Sequence, residues 1–205
     1  MTRVLLAEDQ AMLRSALASL LNLEDDLEVV AEVARGDEIL PAVRRHRVDV
    51  ALLDIDLPGG SGLEALPRLA GEAPWCAAII VTTFARAAYL RQAMADGARG
   101  FLVKDDPADQ LAAAIRRVLA GERVVQPQLA TAALSAPPNP LTAREAEVLV
   151  RSRGGATVAD IATSVHLSEQ TVCNYLSSAI GKTGARNRAE AEALAREHGW
   201  VDPAL

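Results

Sequence analysis

Val48-Asp49-Val50-Ala51-Leu52-Leu53-Asp54-Ile55-Asp56 decides the fold. The run from Val48 to Leu53 is almost wholly Val, Leu and Ala, the composition of a strand covered on both faces, and two carboxylates follow it at once. The same grammar recurs on both sides. Arg3–Ala7, Leu27–Val33, Ala77–Thr82 and Phe101–Val103 also read as strands. Between them Leu13, Ala16, Leu17, Leu20 and Leu21 recur at helical spacing, as do Ile39, Leu40 and Val43, then Leu90, Ala93 and Met94, then Leu111, Ile115, Val118 and Leu119. Alternation of strand and helix predicts an α/β domain with a five-stranded parallel sheet and helices on both faces. Pro107 suits a helix start, where a missing N–H costs nothing, whereas Pro41 and Pro67 fall inside helical segments that should be short, kinked or displaced.

The 205 residues allow one large domain or two small ones. With 50% hydrophobic and 23% charged residues, and no apolar run near the ~20 residues that span a bilayer, disordered, collagen-like and membrane-spanning classes are excluded. The start turns acidic at Glu8-Asp9 before a long apolar region develops, so no secretory signal is expected and the cytoplasm is the expected location. Cys76 and Cys173 lie far apart without neighbours at metal-ligand spacing, which indicates neither a disulfide framework nor a zinc site. Aromatics are only 3%, too few for a stacking surface that binds single strands.

Net charge is −6, carried mostly by the first part: residues 1–128 hold 14 Lys/Arg against 19 Asp/Glu, and residues 129–205 hold 7 against 8. Nothing acidic occurs between Gln170 and Ala189, where Lys182, Arg186 and Arg188 fall, so one stretch is locally basic. Ser135-Ala136-Pro137-Pro138-Asn139-Pro140 cannot sit inside a helix or central strand and reads as a linker of limited flexibility.

In an open parallel sheet, ligands collect at the carboxyl ends of the strands. Here those ends carry Glu8-Asp9, Asp54 with Asp56, Thr82-Thr83 and Lys104. Taken singly, an acidic pair is a helix cap, a Thr is a strand Thr and a Lys is solvated. Together they assemble carboxylates, a hydroxyl and an ammonium at one edge. Clustered carboxylates repel one another unless a hard cation sits among them, which asks for Mg²⁺ and a phosphoryl group, and a carboxylate can act as nucleophile toward phosphorus. Neither a GxxxxGK[ST] loop nor a GxGxxG fingerprint is present, which argues against a nucleotide-binding enzyme.

Glu8-Asp9, Leu52-Leu53-Asp54-Ile55-Asp56-Leu57-Pro58-Gly59, Val81-Thr82-Thr83 and Gly100-Phe101-Leu102-Val103-Lys104 resemble the receiver domain of bacterial two-component response regulators. The resemblance covers about residues 1–125 and implies a flavodoxin-like sheet of order 2-1-3-4-5. It implies Asp54 as phosphoacceptor, with Mg²⁺ held by Glu8, Asp9, Asp54 and the Asp56 backbone carbonyl. Thr82 would bond the phosphoryl oxygen, Lys104 would pair with it, and Phe101 would be the aromatic switch. The Asp56 side chain, at the site mouth, is expected to alter the dephosphorylation rate.

After the linker, expected over 126–140, the domain expected over 141–205 opens with Thr142 and Glu145 at capping-box spacing. A helix should run to about Arg151 and end at Gly154-Gly155. Helices over Thr157–Val165 and Ser168–Thr183 follow, then a fourth from Arg188 to about His198. The break at His166-Leu167-Ser168 between a short and a longer helix is the helix-turn-helix arrangement, although a small interaction bundle uses the same packing. Leu141-Thr142-Ala143-Arg144-Glu145, Ile161-Ala162, Leu167-Ser168-Glu169-Gln170-Thr171-Val172 and Arg188-Ala189-Glu190-Ala191 resemble the LuxR-type DNA-binding domain of NarL/FixJ response regulators. Leu20–Leu27, Thr82-Thr83-Phe84-Ala85-Arg86 and His198-Gly199-Trp200 extend the likeness to nearly the whole chain.

That resemblance implies a transcription regulator rather than an enzyme, driven by a sensor histidine kinase, dimeric when phosphorylated and bound to double-stranded DNA without membrane insertion. Candidate groove contacts are Glu169, Gln170, Thr171, Asn174 and Tyr175, with Lys182, Arg186 and Arg188 near phosphates. Cys173 stands where the family usually carries Lys or Arg, so weak binding by a monomer and reliance on a dimer are expected. Gly181 should loosen the recognition helix by ~1 kcal/mol relative to Ala. Three alternatives stay open: a Mg²⁺-dependent phosphatase using Asp54, a receiver linked to a protein-binding module, and a phosphorylation-independent regulator with weak DNA binding.

Overall fold

The computed structural model describes residues 1–83, 86–104, 108–127, 129–131 and 139–201. Pro107, Phe84-Ala85 and residues 135–138 of the predicted linker lie outside the described residues. The chain divides into two units, Met1–Leu134 and Ser135–Leu205.

In the first unit the strands are β1 (Thr2–Ala7), β2 (Leu27–Val33), β3 (Val50–Leu53), β4 (Ala77–Thr82), β5 (Gly100–Val103) and β6 (Val124–Val125). All pairings are parallel, in the order β2-β1-β3-β4-β5-β6. The expected order of five is recovered, and the sixth strand is an addition. Val124 and Val125 pair with Gly100 and Phe101, two residues being too short a run to show a period in sequence. Strand β3 begins at Val50 rather than Val48, because Val48 N–H is taken by Val43 O and Asp49 Oδ2 accepts Arg3 N–H at 2.8 Å.

Successive strand residues face opposite sides, and both sides are covered. Leu5, Ala7, Ala51, Leu53, Ile80 and Phe101 pack toward α2 (Ile39–His46), α3 (Gly62–Glu72) and α4 (Ala87–Ala95). Val4, Leu6, Val50, Leu52, Ile79, Val81 and Leu102 pack toward α1 (Ala11–Leu21) and α5 (Ala108–Leu119). Pro41 occupies the first turn of the 8-residue α2, where its nitrogen has no intrahelical acceptor to serve. Pro67 has the opposite outcome to the one expected. Helix α3 runs through it for 11 residues, held by a Ser61–Glu64 capping box and by the buried Leu63, Leu66 and Leu69, which offset the lost ladder bond.

The second unit is helical: α6 (Ala143–Arg151), α7 (Val158–Val165), α8 (Glu169–Thr183) and α9 (Arg188–Glu197). Each start is capped by a side-chain oxygen, from Thr142, Thr157, Ser168 and Asn187 respectively. Gly154 and Gly155 take positive φ in the turn after α6, and His166 takes φ 54° in the break between α7 and α8. Val148, Leu149, Ile161, Val172, Leu176, Ala179, Ala191 and Ala195 form the core. No helix among the described residues is long and apolar enough to cross a membrane.

Candidate functional site

Parallel register brings the strand ends of the first unit together. Ala7 pairs with Leu53 and Thr82 with Val103, so Glu8 stands beside Asp54, while Lys104 N–H donates to Thr82 O at 2.9 Å. Lys104 Nζ lies 2.6 Å from Glu8 Oε2 and 2.9 Å from Asp54 Oδ2. The second oxygen of each acid accepts a backbone N–H: Asp54 Oδ1 from Ile55 at 2.8 Å and Glu8 Oε1 from Gln10 at 3.2 Å. Burial alone would pull the Lys104 ammonium down, but the bonds it donates to Glu8 and Asp54 outweigh this and hold the group above its ordinary value.

Asp9 is exposed beside this buried trio. One oxygen each from Glu8, Asp9 and Asp54 lies within 4.8 Å of the other two. Three hard oxygen donors against a single ammonium leave an excess of negative charge, a donor set that fits a small divalent cation. Thr82 is wholly buried at the end of β4, Phe101 is wholly buried in β5, and Asp56 is exposed two residues past Asp54.

Two further residues shape this edge without any pattern in sequence to flag them. Arg14, one turn into α1, donates to the Glu8 carbonyl at 2.6 Å and pairs with Glu32 at 3.6 Å, which anchors the end of β1. A side chain on Gly62 would put its Cβ 2.1 Å from the Asp54 carbonyl oxygen, so only glycine lets α3 start against the end of β3.

In the second unit α8 presents Glu169, Gln170, Cys173, Asn174 and Ser177 to solvent. Gln170 Nε2 donates to Asn174 Oδ1 at 3.2 Å. Thr171 is engaged by the Ser168 cap, and Tyr175 is half-buried against the core. The expected phosphate-contacting cations all have partners within the unit. Lys182 Nζ lies 2.7 Å from Glu145 Oε2, Arg186 pairs with Glu190 at 3.0 Å, and Arg188 donates to Ala156 O at 2.9 Å.

Residues 4–116 match the response regulator receiver domain, and residues 139–195 match the bacterial regulatory proteins of the luxR family. The chain belongs to the LuxR-type response regulators. It is 43% identical over 201 residues to the transcriptional regulatory protein YvfU of Bacillus subtilis (strain 168), covering 98% of this chain and 100% of that one. It is 42% identical over 200 residues to the transcriptional regulatory protein DesR of the same organism, covering 98% and 99%. Among solved structures, the response regulator ChrA of a heme-sensing two-component system is similar with TM-score 0.58 and 33% identity over 97% of this chain and 98% of that one. This response regulator is therefore a DNA-binding transcription regulator, with α7 and α8 as its helix-turn-helix. Its recognition helix is poor in charge, since Lys182 is the one cation of α8 and Glu145 holds it. Burial pushes the Glu145 carboxyl up, but Lys182, Ser178 and Thr142 outweigh this and lower it to about 2, so the carboxylate stays ionised at neutral pH.

Proposed function

We propose that Asp54 is the phosphoacceptor of a two-state switch that controls DNA binding by the second unit. The observation that carries this reading is the Lys104 ammonium bridging Glu8 and Asp54 at 2.6 and 2.9 Å. It sets a cation where charge develops on a transferred phosphoryl group, and the Asp54 oxygens are fixed by Ile55 N–H and Lys104. One Asp54 oxygen attacks phosphorus, an O–P bond forms, and the P–N bond to the phosphohistidine of a sensor kinase breaks. The departing imidazole keeps the electron pair and takes a proton from solvent. Lys104 then turns from the carboxylate to the new phosphoryl oxygens. Thr82 supplies a hydroxyl at the end of β4, and the rearrangement passes to Phe101, buried next door on β5.

Glu8, Asp9 and Asp54, with the Asp56 carbonyl, would hold Mg²⁺, which supplies positive charge to phosphoryl oxygens in such sites. We assign residues 1–125 to the receiver, 126–140 to a linker and 141–205 to the DNA-binding domain. Phosphorylation promotes a homodimer through receiver helices α1 and α5, so that two recognition helices engage two half-sites of a duplex. In the second unit Glu169, Gln170 and Asn174 face the groove, Thr171 and Tyr175 being committed to the cap and the core, with Lys182, Arg186 and Arg188 toward phosphates. The protein works in the cytoplasm, and the chemistry is a single-use phosphoryl transfer that sets a switch, not a turnover activity.

The test is incubation with Mg²⁺ and a small phosphoryl donor, followed by mass and oligomeric state, with Asp54→Asn in parallel. Uptake of one phosphoryl group with dimer formation, absent in the variant, is expected. Labelling that persists in Asp54→Asn removes the assignment.

A further inference from the structure

Among the exposed side chains of α8, Gln170 and Asn174 form a coupled amide pair in its N-terminal half, the part of a recognition helix that meets base edges. Their mutual bond uses one Gln170 Nε2 hydrogen and the Asn174 Oδ1 acceptor. What remains open is an acceptor, Gln170 Oε1, together with donors, Asn174 Nδ2 and the second Gln170 Nε2 hydrogen. Apart from the exposed Glu169, the neighbours are committed or neutral. Thr171 serves the Ser168 cap, Tyr175 packs on the core, and Cys173 and Ser177 carry no charge.

An acceptor beside a donor is the complement of one base edge in the major groove. Adenine presents N6–H₂ as donor next to N7 as acceptor. Guanine presents two acceptors, O6 and N7, and offers Gln170 Oε1 no donor. Guanine is ordinarily read by a bidentate Arg or Lys, and α8 exposes neither in this half.

We infer that the Gln170–Asn174 pair is a preassembled adenine reader that sets the sequence preference of this regulator. Gln170 Oε1 accepts from adenine N6, and Asn174 Nδ2 donates to adenine N7. Because the two amides already hold each other, less side-chain freedom is lost on binding than two independent amides would lose. The inference rests on the DNA-binding reading of α8 given above.

The test selects duplexes from a random pool with the full-length phosphorylated protein, then measures affinity for the selected site and its single-base variants. Adenine at one fixed position of each half-site is expected, with replacement by guanine weakening binding about tenfold or more. In Gln170→Ala and Asn174→Ala that discrimination should fall below about twofold. Asn174→Arg should move the preference toward guanine. Retention of the adenine preference in both alanine variants, or a selected site without a fixed adenine, overturns the inference and leaves the DNA-binding reading intact. Failure of the parent protein to bind any duplex overturns both.

Discussion

Lys182 Nζ lies 2.7 Å from Glu145 Oε2, so the one cation of the recognition helix is fastened to the first helix of its own domain. The same carboxylate accepts Ser178 Oγ at 2.6 Å and Thr142 N–H at 2.7 Å. Glu145 therefore closes the cap of α6 and fixes the rotation of α8. Glu145→Ala leaves a hydroxyl, an ammonium and a helix-end N–H without this acceptor. We expect the second unit to lose about 2–3 kcal/mol, read as a lower urea midpoint of its transition.

The same residue predicts an acid limit. Its carboxyl is lowered from 4.5 to about 2 in the folded protein, so its contribution is complete above pH 4.5 and is lost as pH falls from there toward 2. Melting curves of the parent and Glu145→Gln between pH 7 and 2.5 check this. The gap between them should narrow as the pH drops, and a constant gap would contradict the linkage.

At the strand edge, Lys104→Met removes the ammonium that separates Glu8 from Asp54. In chelator the variant should be less stable by about 2 kcal/mol, because two buried carboxylates then face each other. Added Mg²⁺ should raise its melting temperature more than that of the parent. An unchanged melting temperature in chelator would show that the bridge carries no stability.

Two glycines of α3 make a matched pair. Gly62→Ala drives a Cβ to 2.1 Å from the Asp54 carbonyl oxygen, whereas a Cβ at Gly71 meets nothing within 4 Å. Gly62→Ala should cost about 1–3 kcal/mol and slow phosphoryl uptake by displacing Asp54. Gly71→Ala should be neutral or stabilising by up to about 1 kcal/mol with uptake unchanged. Denaturant titration and a labelling time course read both.

Cys173 is exposed on α8 between Gln170 and Ser177, on a face without a free cation. Cys173→Lys should tighten binding to duplex DNA and steepen its salt dependence by about 0.9 in log–log slope for each new phosphate contact. Affinities measured across a series of salt concentrations decide it, since a merely structural change would shift affinity without altering the slope.

Several elements were legible because local chemistry alone specifies them. The apolar runs of β1 to β5 announce a sheet covered on both faces, and Thr142, Ser168 and the His166 break announce the helix-turn-helix. Strand β6 escapes notice because two valines carry no periodicity. Helix α3 survives Pro67 because burial of Leu63, Leu66 and Leu69 outweighs one missing hydrogen bond, a balance that depends on what packs against it. The polar strand ends were visible as residue types, while Arg14 and Gly62 were not, since their effect lies in what touches them.

By itself, then, the order of residues determined the alternation of elements, the carboxylates at the strand ends and the locally basic stretch from Gln170 to Ala189. Those are matters of period, propensity and composition along the chain. Which charges meet was decided only by the tertiary structure. Lys104 reaches Asp54 across 50 residues, and Lys182 reaches Glu145 across 37. An ion pair depends on ångström-scale distance and on exclusion of water, and both arise only when strand register and helix packing bring distant segments side by side.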